Sequence, residues 1–165
     1  FWDNYGVTSA NVAYWNNTSP TSTVFSVGTD SAVNHSGNDM IAYCFRSIRG
    51  YSRVSTYIGN GNANGTVVHT GFKPAMVFFK RTTGAVANWQ MWDNKRDPDN
   101  PVENAFHIDS NDADGSPDQD IDFLSNGFKI RSSQGHLNAN GVTFVYYAVA
   151  EEPLVGTNKV CSTAR

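Results

Sequence analysis

The chain is poor in the residues that build helices and in charge of either sign. Leu and Glu each occur only three times in 165 residues, and charged residues make up 16% of the chain. Asn, by contrast, occurs 18 times and Gly 14 times. Because Leu and Glu favour helices while Asn and Gly favour turns, this composition predicts an all-β protein with few or no helices.

Other absences exclude whole classes of protein. The formal net charge is −3 and the Lys and Arg residues are scattered, so no basic surface for nucleic acid is indicated. No apolar run is long enough to insert into a membrane, and the start of the chain has no signal-peptide pattern. The two cysteines, Cys44 and Cys161, are expected to be free thiols, as in a protein made in a reducing cytoplasm.

Short apolar stretches separated by Asn, Gly, Ser and Asp clusters predict a series of antiparallel strands. Residues 39–48 and 142–150 are apolar on both faces, as in central strands that are covered on each side. We therefore expect two stacked sheets, an antiparallel β-sandwich of jelly-roll or lectin type, with a closed barrel as the alternative. The predicted strands lie near residues 1–5, 23–28, 39–48, 51–58, 66–70, 75–81, 86–93, 120–124, 127–132 and 142–150.

Residues 24–46 recur in degenerate form at residues 127–150, which predicts a chain built from tandem units. The alternative is chance similarity between two polar turns. On the tandem interpretation, residues 1–46 are the second half of one unit, residues 47–150 are a complete unit packed with it as one β-sandwich, and residues 151–165 are a C-terminal tail. The chain would then begin in mid-repeat, as the C-terminal piece of a longer protein. The matching pairs are Phe25 and Phe128, Val27 and Ile130, Asn34 and Asn138, Gly37 and Gly141, Met40 and Phe144, Ile41 and Val145, and Tyr43 and Tyr147.

The acidic segment 95–119 is predicted to be a long surface loop. Within it, oxygen-bearing side chains alternate from Ser110 and are followed by a glycine, as in calcium loops, so that Asp109, Asp112 and Asp114 are candidate ligands. The match is incomplete, because Ser110 stands where the first Asp is expected and Ile121 stands where the last Glu is expected. A solvated acidic loop is the alternative, and no other cofactor is indicated.

The sequence does not support an enzyme. No nucleophile elbow, zinc-type histidine spacing or phosphate-binding loop is present. Glu151 and Glu152 are neighbours at the end of a predicted strand and point to opposite faces, so they are not the facing pair that glycoside hydrolysis needs. Asp93, Asp97 and Asp99 could line a cleft, although Asp93 recurs in the first copy beside the same Trp and Asn, which favours a structural role.

Aromatic side chains are the remaining candidates for a binding surface. Tyr14 and Trp15 lie in a polar segment and are predicted to form an exposed platform that stacks on sugar rings or anchors a protein interface, with Tyr51 and Trp92 as further candidates. A loop aromatic pair folded over a sheet edge is the alternative. Trp89 and Trp92 are three residues apart and therefore lie on opposite faces of their strand, which predicts that one of them is in the core.

A series of short motifs gives the chain a family resemblance. Through these motifs residues 39–150 resemble the repeat found in virion proteins of tailed bacteriophages, tail fibres in particular. The closing Ser-Thr-Ala-Arg resembles the extreme C-terminus of such chains. In chain order the motifs are Met-Ile-Ala-Tyr-Cys-Phe at 40–45, Gly-Tyr-Ser at 50–52, Tyr-x-Gly-Asn-Gly at 57–61, Thr-Gly-Phe-Lys-Pro-Ala at 70–75, Phe-Lys-Arg-Thr at 79–82, Asn-Trp at 88–89, Asp-Asn-Lys-Arg-Asp-Pro at 93–98 and Phe-Leu-Ser-Asn-Gly-Phe-Lys at 123–129.

The resemblance implies a concanavalin-like sandwich in a phage virion, assembled in the host cytoplasm, and it supplies no catalytic residues. The function it implies is the distal part of a tail fibre that contacts a host surface glycan. Other virion subunits would be its partners, and by analogy with fibres it would form a homotrimer. A capsid decoration or tail-assembly subunit without receptor binding and a polysaccharide depolymerase are the alternatives. No nucleic-acid partner and no membrane insertion are expected.

Overall fold

The computed structural model describes residues 2–3, 6–7, 12–84, 87–111, 113–115, 119–155 and 161–162. The chain divides into two compact units, Phe1–Cys44 and Phe45–Arg165. The sequence places this division after residue 46, and the structure places it after residue 44. None of the helices in the described ranges has the length and apolar character needed to cross a membrane.

The first unit contains two very short strands and two single-turn helices. Strand β1 (Trp2–Asp3) pairs with β2 (Gly6–Val7), and the helices are α1 (Val12–Trp15) and α2 (Ser31–Asn34). Helix α2 begins because the carboxylate of Asp30 caps it, accepting a hydrogen bond of 2.8 Å from Ala32 N.

The second unit is an antiparallel β-sandwich of two sheets, which confirms the predicted fold class. One sheet has five strands in the order β3-β10-β5-β6-β7, and the other has three in the order β4-β9-β8. A separate pair, β11 and β12, follows near the end of the chain. The elements are β3 (Ser52–Ile58), β4 (Val67–His69), β5 (Pro74–Arg81), β6 (Gln90–Asp93), β7 (Phe106–His107), β8 (Ile121–Leu124), β9 (Gly127–Ile130), α3 (Gly135–Asn138), β10 (Thr143–Ala150), β11 (Leu154–Val155) and β12 (Cys161–Ser162).

Aromatic side chains fill the space between the two sheets. Phe79 stacks on Trp92 with ring centroids 4.7 Å apart, and Tyr57 stacks on Phe144 at 4.9 Å. Phe128 comes from the three-stranded sheet and meets Tyr146 edge to face at 5.3 Å. These side chains alternate along their strands, as a half-buried strand requires, and their burial is the main stabilising contribution to the sandwich.

The central strand β10 is covered on both faces, as its sequence predicts. It pairs with β3 on one side and with β5 on the other. On the face away from the second sheet, Phe45 packs against Phe78 and Tyr147, with centroid distances of 5.6 and 4.7 Å. The continuous apolar run of residues 143–150 therefore has a partner on each side of the sheet.

The chain crosses from the three-stranded to the five-stranded sheet through α3, and a buried asparagine fixes this crossing. The amide nitrogen of Asn138 donates to Ser132 O (2.9 Å), Asn62 O (2.8 Å) and Asn60 Oδ1 (2.8 Å), and its oxygen accepts from Asn60 N (2.9 Å). Nearby, the Tyr57 hydroxyl donates to Leu137 O at 2.7 Å, and burial raises the pKa of this phenol well above its ordinary value. The Asn-rich loop 59–65 is thus tied to α3.

Two predicted strands are wrong. Residues 23–28 form no strand, and residues 39–48 form none beyond a single bridge between Ile48 and Ser52. Residues 39–45 are exposed rather than covered as a central strand, and Cys44 is a free, exposed thiol. An apolar pattern marks a possible strand, but a strand forms only where a neighbouring strand satisfies its backbone groups along its length, and no strand in the described ranges pairs with residues 23–28 or 39–47.

We expect Asn138→Ala to destabilise the second unit by about 2–4 kcal/mol, because it leaves several buried backbone and amide groups without partners. Urea unfolding followed by tryptophan fluorescence measures the change. The matched control is Asn140→Ala, since Asn140 is exposed in the same connection. Equal stability of the two variants would contradict the role given to Asn138.

Candidate functional site

A polar cleft of about 230 Å³ lies at one end of the sandwich, and the strand pairing explains its position. Lys73 precedes β5 and Asn94 follows β6. These two residues lie at the same end of the sheet, because neighbouring antiparallel strands run in opposite directions. Asn94 N donates to Ala75 O at 2.9 Å, which holds the two strand ends together. The cleft is lined by Lys73, Asn94, Pro98, Asp99, Asn100 and Phe123.

The wall of the cleft carries an ion pair and an unused acceptor. Lys73 Nζ lies 2.7 Å from Glu151 Oε2, and Glu151, directly after β10, also accepts a hydrogen bond from Asn94 Nδ2. The other amide atom of Asn94, its Oδ1, is buried and has no hydrogen-bond partner in the part of the chain that the structure describes. Such a buried acceptor is one that a bound hydroxyl can satisfy.

The loop that carries Asp99 is joined to the three-stranded sheet by Asn100, whose side-chain amide bonds to the strand backbone as a neighbouring strand would. Asn100 Nδ2 donates to Phe123 O at 2.9 Å, and Asn100 Oδ1 accepts from Phe123 N at 2.8 Å. Two residues later the backbones of Val102 and Ile121 bond to each other at 2.8 and 3.2 Å. The loop that carries Asp99 is therefore fastened to β8 instead of extending into solvent.

The start of the same loop is held by Asp93 and Arg96. Asp93 Oδ1 accepts from Lys95 N (3.0 Å) and Arg96 N (2.9 Å), and Arg96 Nε lies 2.6 Å from Asp93 Oδ2. Partial burial acts against the charged carboxylate, but the hydrogen bonds and charge of Arg96 outweigh it and lower the pKa of Asp93. Asp93 is thus structural, as its recurrence in the first copy indicates.

Asp97 and Asp99 have different roles. Asp97 Oδ2 accepts from Glu103 N at 2.6 Å and from Asn104 N at 3.3 Å, so it braces the loop. Asp99 is exposed and is the carboxylate that lines the cleft. Of the three acidic residues that the sequence suggests for a cleft, the structure places Asp99 there.

The structure separates the described carboxylates of the predicted calcium site. Asp109 accepts from Trp89 N at 2.9 Å and lies 3.8 Å from Lys80 Nζ, whereas Asp114 pairs with Arg96 Nη1 at 3.0 Å. Within the described ranges no three His, Cys, Asp or Glu side chains form a metal-binding group. Asp112 lies outside the described residues, so calcium binding stays a prediction.

The four predicted aromatic ligand residues occupy unlike positions. The prediction that Trp92 binds a ligand is wrong. Its ring is fully buried between the sheets and its indole N–H donates to Gln119 O at 2.9 Å, which leaves no face for a ligand. Tyr51 is exposed just before β3. Tyr14 and Trp15 are partly buried on α1 in the first unit, where their role as a platform stays a prediction.

Trp89 and Trp92 do lie on opposite faces of their strand, which confirms that one of them belongs to the core. Trp89 meets Phe78 edge to face at 5.9 Å on the outer face of the five-stranded sheet. Lys80 Nζ lies 5.5 Å from the centre of the Trp89 ring, within range of a cation–π interaction.

A second group of polar side chains lies inside the sandwich and has a structural role. Gln90 Nε2 donates to Gln119 Oε1 at 2.9 Å and lies 3.3 Å from His107 Nε2 on the neighbouring strand. Gln90 and Gln119 are both buried. This network joins β6 and β7 to the segment that precedes β8.

One family model matches the chain, and it is DUF7483, a domain of unknown function, over residues 2–153. The chain belongs to the DUF7483 family. The matched residues run through both compact units and include every residue that lines the cleft. No curated protein and no solved structure matches the chain.

Sequence reasoning missed Lys73, Asn94 and Asn100 as residues of the site. The signal for the first two was present, because both lie inside motifs that carry the family resemblance, Thr-Gly-Phe-Lys-Pro-Ala at 70–75 and Asp-Asn-Lys-Arg-Asp-Pro at 93–98. Nothing in the sequence marks Asn100, whose position depends on pairing with β8.

We expect the loop 94–101 to loosen in acid because of Asp93. The lowered pKa means that Asp93 stabilises the folded loop above the ordinary pKa of an aspartate and loses this contribution as pH falls through the lowered value. Hydrogen exchange of the loop amides, compared between pH 5 and pH 2.5 after correction for the intrinsic rate, measures the effect.

In Asp93→Asn the same loop is expected to be loose at both pH values, so that the acid-dependent change largely disappears. Asp122→Asn is the matched control, since Asp122 pairs with Arg131 on the other sheet. An unchanged acid response in Asp93→Asn would show that Asp93 does not hold the loop.

Proposed function

We propose that the chain is a non-enzymatic carbohydrate-binding module of a phage virion, and that its cleft holds one sugar ring of a host surface glycan. The observation that carries this proposal is a polar cleft lined by Asn94, whose Oδ1 is buried and has no hydrogen-bond partner among the described residues. A ligand hydroxyl would supply the missing donor.

The mixture of groups in the cleft suits a polyol better than an ion. Lys73 offers a cationic donor, while Asp99 and Asn94 Oδ1 offer acceptors. A hydroxyl both donates and accepts, so a sugar ring can use all three. An anionic ligand would be opposed by Asp99 and a cationic one by Lys73.

The same lining favours binding over hydrolysis. Glycoside hydrolysis uses two carboxyl groups about 5–10 Å apart on either side of the scissile bond. Asp99 is the one carboxylate among the residues that line the cleft. Glu151 is not among the lining residues, and both of its carboxylate oxygens are held, one by Lys73 and the other by Asn94.

The placement in a virion rests on the motif resemblance to phage tail fibres. The expectation that the chain forms a trimer and has other virion subunits as partners rests on the same resemblance. A subunit of the capsid surface or of tail assembly is the second candidate. It is favoured by the exposed apolar side chains of Ile41 and Tyr43, which suit a protein–protein contact better than a sugar.

We expect saturable binding to an array of bacterial envelope polysaccharides, with affinity lowered about tenfold or more in Asn94→Ala and in Asp99→Ala. Each variant removes one polar partner of the bound ring. Asn140→Ala is the control, because Asn140 is exposed at the start of β10 while the cleft lies at its end.

The other outcomes each exclude part of the proposal. Loss of binding in Trp15→Ala with retention in Asp99→Ala would move the site to the aromatic pair of α1. Release of new reducing ends would show a depolymerase. Silence on the array and on host envelope fractions would overturn glycan recognition and leave the structural subunit.

A further inference from the structure

The two compact units contain the same local turn. In α2, Asn34 Nδ2 donates to Gly28 O, six residues back, at 3.0 Å; in α3, Asn138 Nδ2 donates to Ser132 O, also six residues back, at 2.9 Å. Each helix starts three residues after its acceptor residue, at Ser31 in α2 and at Gly135 in α3. Three residues beyond each asparagine stands a glycine with positive φ, +83° at Gly37 and +72° at Gly141.

The segments that flank the two turns have opposite burial. Val27 is 42% exposed where its counterpart Ile130 is fully buried, and Tyr43 is 79% exposed where Tyr147 is 9% exposed. Residues 24–28 and 39–46 form no strand, whereas the matching residues form β9 and β10. The sequence character is shared, so the difference lies in what the segments are packed against.

The second unit shows what covers such a segment. Strand β9 pairs with β4, and β10 lies between β3 and β5, so three strands from residues 52–81 provide the partners on one side of the turn. The loop between β3 and β4 supplies Asn60 and Asn62, which bind the amide of Asn138. Without these partners the backbone of a strand has unsatisfied donors and acceptors, and its apolar side chains face water.

We infer that residues 24–44 are the docking half of a split sandwich, and that their partner is a polypeptide segment with the pattern of residues 45–91. That partner would add strands equivalent to β3, β4 and β5, cover Val27, Met40, Ile41 and Tyr43, and bring an asparagine loop to Asn34. The exposed apolar side chains of the first unit are thus a protein interface, and the second unit shows which kind of segment binds there. This inference does not rest on the proposed function.

A second folded copy of the chain does not provide this partner. Its own residues 52–81 already pair with its own β9 and β10, so docking residues 24–44 there would release an equal segment and gain no pairing. The occupant to which we commit is a separate half-unit of the same kind.

In the test protein, a second copy of residues 45–91 is fused directly before Trp2, just as residues 45–91 precede Trp92 in the chain. The rest of the chain is unchanged. Hydrogen exchange at residues 39–44 is expected to slow by about tenfold or more relative to the unmodified chain. Cys44 gives a second measurement, because its counterpart Ala148 is fully buried. With Cys161→Ser in both proteins, labelling of Cys44 by a thiol reagent should slow by a similar factor.

The matched control carries Val77→Asp and Phe79→Asp in the added copy alone, and it should leave exchange and labelling as in the unmodified chain. Unchanged rates in the fusion with native residues would overturn the inference. Should the fusion not fold, a separate peptide of residues 45–91 added in excess to the unmodified chain gives the same measurement.

The unmodified chain supplies an independent check. Its residues 39–44 should exchange freely at every protein concentration while β10 is protected. Protection already present in a monomer would overturn the inference, because the segment would then be covered within the chain. Protection that appears with dimerisation would overturn it too, because a second copy would then be the occupant.

Discussion

The buried amide of Asn138 is the interaction on which the sandwich depends. The chain must pass from β9 in one sheet to β10 in the other, and α3 makes that passage in a single turn. Asn138 fixes the turn by bonding to Ser132 on its own segment and to Asn60 and Asn62 on the loop after β3. Since the side chain is fully buried, these bonds form at low dielectric, where an unsatisfied partner is costly.

The two ends of the second unit therefore differ in structure. At the end where β10 begins, the Asn138 side chain bonds to Asn60 and Asn62 and closes the sandwich. At the end where β10 finishes, Lys73, Asn94 and Glu151 meet around an open cleft in which one acceptor is unused. A rigid closed end and an accessible polar end are what a binding module built on a sandwich requires, since function is carried by loops that a stable scaffold positions.

The sequence was sufficient for the parts of the fold that local patterns determine. Alternating apolar residues and Asn-Gly turns predicted the strands of residues 51–93 and 120–150, and the apolar run at 143–150 predicted the central strand. The same reasoning failed at residues 39–48, where an equally apolar run is exposed. The apolar pattern of a segment shows which side chains it can bury. Whether the segment forms a strand depends on a neighbouring strand, which its own sequence does not specify.

The site was harder to predict because its residues come from separate strand ends. Asp99 was suggested by its acidic neighbours, but Asn100 lines the cleft because it pairs with Phe123, more than twenty residues away. Trp92 was misplaced because the spacing of Trp89 and Trp92 shows that they lie on opposite faces but does not show which face is inside. The burial of Trp92 follows from its stacking on Phe79 of the neighbouring strand.

The asparagine network has a further consequence for the chemical lifetime of the chain. Asparagine followed by glycine is prone to deamidation, which begins when the glycine nitrogen attacks the side-chain carbonyl of the asparagine. At Asn60-Gly61 the glycine nitrogen donates to Asn138 O at 2.7 Å, and Asn60 Oδ1 accepts from Asn62 N and Asn138 Nδ2. The nucleophilic nitrogen is thus engaged as a donor and the Asn60 side chain is held in place, so the bonds that shape this loop also slow the attack at Asn60.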